Sequence, residues 1–122
     1  MRSLREMEEI KRRVREIINN NCWINGTYDY LDGDISALAN AEEDFNENLI
    51  IEYDNLKRLF KDLKNYNGIF LYKNILFINH WNYGCFLYDL KTEDYKNYFE
   101  HLTIDGMGFK KFCEIVNKRL RG

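Results

Sequence analysis

Residues 69–90 read IFLYKNILFINHWNYGCFLYDL, and the punctuation of this stretch decides the fold class. Three runs rich in β-branched and aromatic residues, IFLY (69–72), ILFIN (75–79) and CFLYDL (85–90), are separated by KN and by HWNYG. Short runs of this composition, bounded by turn formers, read as strands, and connections this short join antiparallel neighbours. The stretch predicts a three-stranded antiparallel meander.

On its N-terminal side the period changes. In YDNLKRLFKDLKNYNG (53–68) the apolar residues Leu56, Leu59, Phe60 and Leu63 recur at three and four, which is one face of a helix. Asp54 is its expected cap and Gly68 stands near its expected end. Further upstream, Asp34 is positioned to cap a helix over about 35–47 with Ile35, Leu38 and Phe45 inward, and NNNCWINGTYDYLDGD (19–34) reads as a loop or irregular hairpin. Residues 4–18 carry Leu4, Met7, Ile10, Val14, Ile17 and Ile18 as one apolar stripe, with Glu8–Arg12 and Glu9–Arg13 as i,i+4 pairs on the polar side. That seam is narrow and nearly heptad-like. It is expected to dock on the domain, because about two heptads are short for an independent coiled coil; a homodimer through this helix is the alternative.

On the C-terminal side, Thr92 is expected to open a short helix over TEDYKNYFEHL (92–102) with Tyr95, Phe99 and Leu102 inward. TIDGMG (103–108) breaks it, and FKKFCEIVNKRL (109–120) closes the chain as a helix with Phe109, Phe112, Val116 and Leu120 on one face. Helices, then a small sheet, then helices define a single α+β domain spanning residues 1–122.

Composition supports a packed core: 45% of the 122 residues are hydrophobic and 31% charged. No apolar run approaches the length of a membrane span, and MRSLREMEEIKRR lacks the apolar core of a signal peptide, so the expected location is the cytosol, with no membrane partner. Cys22, Cys85 and Cys113 are odd in number and widely spaced, which suggests neither a disulfide framework nor a zinc clip. Proline is absent, and Asn, Ile, Lys and Tyr, the residues of AT-rich codons, are abundant. This bias points to a low-GC bacterium, its phage or a plasmid.

The distribution of charge is more informative than its total. From Ile17 to Leu56 there are forty residues with nine carboxylates (Asp29, Asp32, Asp34, Glu42, Glu43, Asp44, Glu47, Glu52 and Asp54) and no Lys or Arg. Residues 1–16 carry net +2 and residues 57–122 net +5, so the formal −2 of the chain hides strong polarity. Glu43 and Glu47 repel at i,i+4 with no lysine in the segment to relieve them, so helix stability does not account for the block. Either the basic flanks neutralise it internally, or it is a surface that attracts a basic partner.

Nineteen aromatic residues make 16% of the chain. Tyr28, Tyr30 and Tyr53 lie among the carboxylates, and aromatic anchors ringed by polar groups are what protein interfaces use as hot spots. Core filling is the competing role for each of them.

Catalytic and metal chemistry find little support. His80 and Cys85 are the one base and nucleophile close in sequence, but no orienting group or oxyanion donor accompanies them. His101, near the end of the expected 92–102 helix, reads as a favourable C-terminal charge. DYLDGD (29–34) departs from the EF-hand template, and DGMGFKK (105–111) lacks the spacing of a phosphate loop. No metal or cofactor is implied. Lys110, Lys111, Lys118, Arg119 and Arg121 would suit phosphates, although a pI near 5.7 and the acidic block argue against direct nucleic-acid contact.

The leading expectation is therefore a non-enzymatic protein-binding inhibitor, encoded by a phage or mobile element. Its acidic 29–54 surface, anchored by Tyr28, Tyr30 and Tyr53, would mimic nucleic acid and cover the basic groove of a host nucleic-acid-processing or defence protein, such as a CRISPR effector. Small phage inhibitors of nucleases and CRISPR effectors share this charge and size, an analogy that rests on no motif. The rival is a small nucleic-acid-binding or regulatory protein that uses the basic C-terminal helix.

Overall fold

The computed structural model describes residues 2–21, 50–80, 84–92 and 99–121. The chain sorts into two compact units, Met1–Ile50 and Ile51–Gly122.

In the first unit the described element is helix α1, Leu4–Asn21. Its start is a reciprocal cap: the Glu6 N–H donates to Ser3 Oγ at 3.1 Å and the Ser3 N–H donates to Glu6 Oε1 at 3.3 Å. That bond from the Ser3 backbone holds the Glu6 carboxyl below its ordinary range. Ile10, Val14 and Ile17 are buried, whereas Leu4 at the helix start is 81% exposed and so lies outside the buried part of the expected stripe. Arg12 bridges Glu9 and Glu16, and Lys11 reaches Glu8 at 3.5 Å; the Arg12 bond first, and then the nearby charges of Arg12 and of the expected partner Arg13, hold the Glu9 carboxyl below its ordinary range. The expected 19–34 loop and 35–47 helix fall almost wholly outside the described residues.

The second unit is built on a five-stranded sheet in the order β1-β2-β3-β4-β5, antiparallel from β2 through β5. The strands are β1 (Ile50–Tyr53), β2 (Gly68–Tyr72), β3 (Ile75–His80), β4 (Gly84–Asp89) and β5 (Phe99–Leu102), and the helices are α2 (Leu56–Asn65) and α3 (Phe109–Arg121). The predicted meander is β2–β3–β4, in register Phe70↔Phe77↔Leu87. Its first turn is the two-residue KN, with Lys73 in the left-handed region at φ 54°. Asp89 braces this tip by accepting from the Asn74 side-chain amide and the Lys91 N–H, both at 2.9 Å.

Two strands were not anticipated. Residues 99–102, expected at the end of a helix, pair instead with β4 through Tyr88↔Phe99, Leu87↔Glu100, Phe86↔His101 and Cys85↔Leu102. The spacing Tyr95, Phe99, Leu102 fits a helix, but β4 would otherwise be left as a long apolar edge, and ladder pairing outweighs a weak helical preference. The Thr92 hydroxyl donates to the Asp89 carbonyl at 3.1 Å, and the expected helical stretch over 93–98 lies outside the described residues. β1 is the other new edge strand.

Helix α2 is capped by Asn55, one residue after the expected Asp54: Asn55 Oδ1 accepts from the Arg58 N–H at 3.1 Å. Its C-terminal carbonyls are satisfied from the sheet. The amide of Asn79 is buried and donates at 2.8 Å to both the Leu63 and the Tyr66 carbonyl oxygens, so the helix ends at Tyr66 and Gly68 opens β2.

Both helices lie on one face of the sheet. Leu59, Phe60 and Leu63 of α2 and Phe112 and Val116 of α3 pack with Phe70, Phe77, Cys85, Leu87 and Leu102. The aromatic rings mesh at the centre, Phe60–Phe112 at 4.8 Å and Phe77–Phe112 at 6.0 Å between centroids. The alternate residues Ile69, Leu71, Leu76, Ile78 and Tyr88 are buried as well, which is why the central strands read as continuous apolar runs.

Candidate binding surface

Of the residues expected to form an acidic interface, Tyr28, Asp29, Tyr30, Asp32, Asp34, Glu42, Glu43, Asp44 and Glu47 lie outside the described residues. The remaining three occupy β1 and the bend after it. Their burial differs: Glu52 is exposed, as is Asp54 in the bend, whereas Tyr53 turns into the core and is only 9% exposed. Its ring meets Phe70 at 5.7 Å, and its hydroxyl donates to Asp62 Oδ2 at 2.6 Å. Burial first, and then the bond to the Asp62 carboxylate, push the phenol above its ordinary pKa. Tyr53 is a core residue with a satisfied hydroxyl, not a projecting anchor.

The enzyme-like pair is also placed by the sheet. Asn79 pairs with Cys85 and His80 with Gly84, so the two candidate groups stand on neighbouring rungs of the β3–β4 ladder. Cys85 is fully buried, and burial drives its thiol above the ordinary range, the opposite of what a nucleophile needs. His101 is in β5 and not at a helix terminus. It is exposed, with its ring 5.0 Å from that of Phe86. Gly84 lies beneath it: a Cβ there would fall 2.2 Å from His101 Nε2. Among the described residues no three His, Cys, Asp or Glu converge to hold a metal ion, and no helix is long and apolar enough to cross a membrane.

The basic residues, by contrast, gather on one layer. Nine of the twelve Lys and Arg in Ile51–Gly122 belong to α2 and α3. With the apolar stripes of both helices turned to the sheet, Lys57, Arg58, Lys61, Lys64, Lys110, Lys111, Lys118 and Arg121 are exposed on the outer side, and Glu114 is the one exposed carboxylate on these helices. Asp62 is half-buried under Tyr53, and Arg119 is tied to Glu100 at 3.6 Å. From sequence alone the basic surface is expected on the C-terminal helix only. The missed signal is that both helices open on the same pattern of apolar, basic, basic, apolar: Leu56-Lys57-Arg58-Leu59 and Phe109-Lys110-Lys111-Phe112.

Where α3 meets the end of the sheet, a groove of about 770 Å³ is walled by Lys111, Glu114, Ile115, Lys118 and Arg119 on one side and Asp89, Thr92 and Glu100 on the other. Its charges alternate in sign, so it presents no single field to a ligand.

Comparison with protein-family models, with curated proteins and with solved structures gave no match.

Proposed function

We propose that this protein is a non-enzymatic, protein-binding inhibitor acting in the cytosol of a host cell, and that a phage or mobile element encodes it. Its acidic segment, with Asp29, Asp32, Asp34, Glu42, Glu43, Asp44, Glu47, Glu52 and Asp54 as the charge and Tyr28 and Tyr30 as anchors, covers a Lys/Arg groove that normally holds nucleic acid. The mechanism is competitive occlusion of a nucleic-acid-processing or defence protein, a CRISPR effector being the type of target in view. Tyr53 belongs to the core and is not among the contacts.

The observation that carries this reading is the partition of charge between the two compact units. Met1–Ile50 holds eleven acidic and six basic residues, net −5, and Ile51–Gly122 holds twelve basic and nine acidic, net +3. A field concentrated in this way accelerates encounter with a basic partner and suppresses the wrong ones. The full burial of Cys85, the nucleophile candidate beside His80, supports the non-enzymatic reading.

The test is charge reversal of Glu42, Glu43, Asp44 and Glu47 to Lys in the full chain. The wild type should capture a basic protein from a low-GC bacterial lysate and displace that protein from its DNA or RNA. The variant, with an unchanged circular dichroism spectrum and melting temperature, should do neither. Undiminished capture by the variant would discard the reading.

A further inference from the structure

We propose that the outer face of the α2–α3 layer is a second, separate site, which binds single-stranded nucleic acid. Charge is the first support. Lys57, Arg58, Lys61, Lys110, Lys111, Lys118 and Arg121 are exposed, and none of the seven makes a salt bridge among the described residues. Only Glu114 opposes them on the outer side of these helices.

Lys118 and Arg121 stand in the last turn of α3, where the helix dipole favours cations, but helix stability does not explain the cations at the two helix starts. Lys57 and Arg58 lie in the first turn of α2, and Lys110 and Lys111 in the first turn of α3; neither turn contains an acidic residue. The positive end of the helix dipole disfavours cations there and favours a bound anion. Lys57 and Lys61 also repel at i,i+4. The placements of Lys57, Arg58, Lys61, Lys110 and Lys111 are unfavourable in the free protein and favourable once phosphates lie across the layer.

Exposed aromatic rings choose the kind of polyanion. Tyr66, at the C-cap of α2, is 63% exposed, and Phe109, at the start of α3, is 40% exposed. They flank the same end of the layer, where Lys64 Nζ donates to the Met107 carbonyl at 2.9 Å and so ties the end of α2 to the approach to α3. Cations interleaved with rings on which unpaired bases stack are the recognition chemistry of single strands. An anionic membrane would need apolar helix faces to insert, and here those faces are committed to the core through Leu59, Phe60, Leu63, Phe112 and Val116.

The experiment is fluorescence anisotropy of the full chain with a labelled oligo-dT of about twenty nucleotides. Between 50 and 200 mM salt, affinity should fall about a hundredfold if roughly five phosphates are neutralised. Lys57, Lys61, Lys110 and Lys111 changed together to Glu should abolish binding; because all four are exposed, the melting temperature should hold, and the milder change to Gln should weaken binding and flatten the salt slope. Tyr66→Ala should weaken binding about tenfold and leave the salt slope unchanged. Failure to bind at 50 mM salt, binding that survives the lysine changes, or preference for phosphatidylserine vesicles over the oligonucleotide would overturn the proposal. The reversal of Glu42, Glu43, Asp44 and Glu47 should leave oligonucleotide binding intact or tighter, so this site and the acidic surface stand or fall separately.

Discussion

Tyr53 shows how one side chain can be polar in composition and structural in role. Its ring fills the core between β1 and α2 and its hydroxyl has a charged acceptor, Asp62, at 2.6 Å. Tyr53→Phe should therefore cost about 1 kcal/mol at neutral pH in urea unfolding. The folded phenol titrates above its ordinary value of 10.0 because burial and the Asp62 carboxylate both oppose the phenolate. That contribution is fully present below pH 10 and is lost as pH rises through the higher folded value. The gap between wild type and the Phe variant should accordingly narrow on the alkaline side, whereas a gap that widens there would contradict the assignment. Cys85 loses stability in the same direction, so the comparison is made against wild type at each pH. Of Ile50–Tyr53 only Tyr53 is buried, and Ile51 and Glu52 are both exposed, so these four residues carry no period that would announce a strand. Asn79 was hidden for a related reason: an amide inside an apolar run shows its purpose only when the end of α2 is seen against it.

At the scale of elements, the long periodic segments were legible and the short edges were not. The stripes of α1, α2 and α3 and the runs of β2, β3 and β4 each repeat their period several times. Phe99–Leu102 has four residues, and its spacing suits either period, so only the need of β4 for a partner settles it. The β4–β5 pairing has its own constraint at Gly84, which combines φ +98° with the ring of His101 directly over the position of a Cβ. Gly84→Ala should destabilise by about 2 kcal/mol, part from the left-handed backbone and part from displacing the ring. His101→Ala alone should cost little, since the residue is exposed. The double variant should recover the ring's share, giving a coupling of about 0.5–1 kcal/mol in a double-mutant cycle. Strict additivity would mean that the histidine yields freely and that backbone strain accounts for the whole effect.

For the whole molecule, the sequence displayed the charge partition in full, because counting Lys and Arg against Asp and Glu requires no coordinates. What counting did not reveal is that α2 contributes to the basic layer as much as α3; that followed from the helices sharing one face of the sheet. The partition has a consequence that needs no partner protein. A molecule with a −5 unit and a +3 unit attracts its neighbours in opposed orientation when ions do not screen it, and this attraction fades as the Debye length shrinks from roughly 20 Å at 20 mM salt to about 8 Å at physiological salt. Static light scattering should therefore give a second virial coefficient that is negative at 20 mM salt and rises by 150 mM. Changing Lys110, Lys111 and Lys118 to Glu should remove the attraction by discharging its positive pole. If the acidic block and the basic layer instead neutralise one another within a single chain, the coefficient will be insensitive to salt, and neither surface will be available to an outside partner.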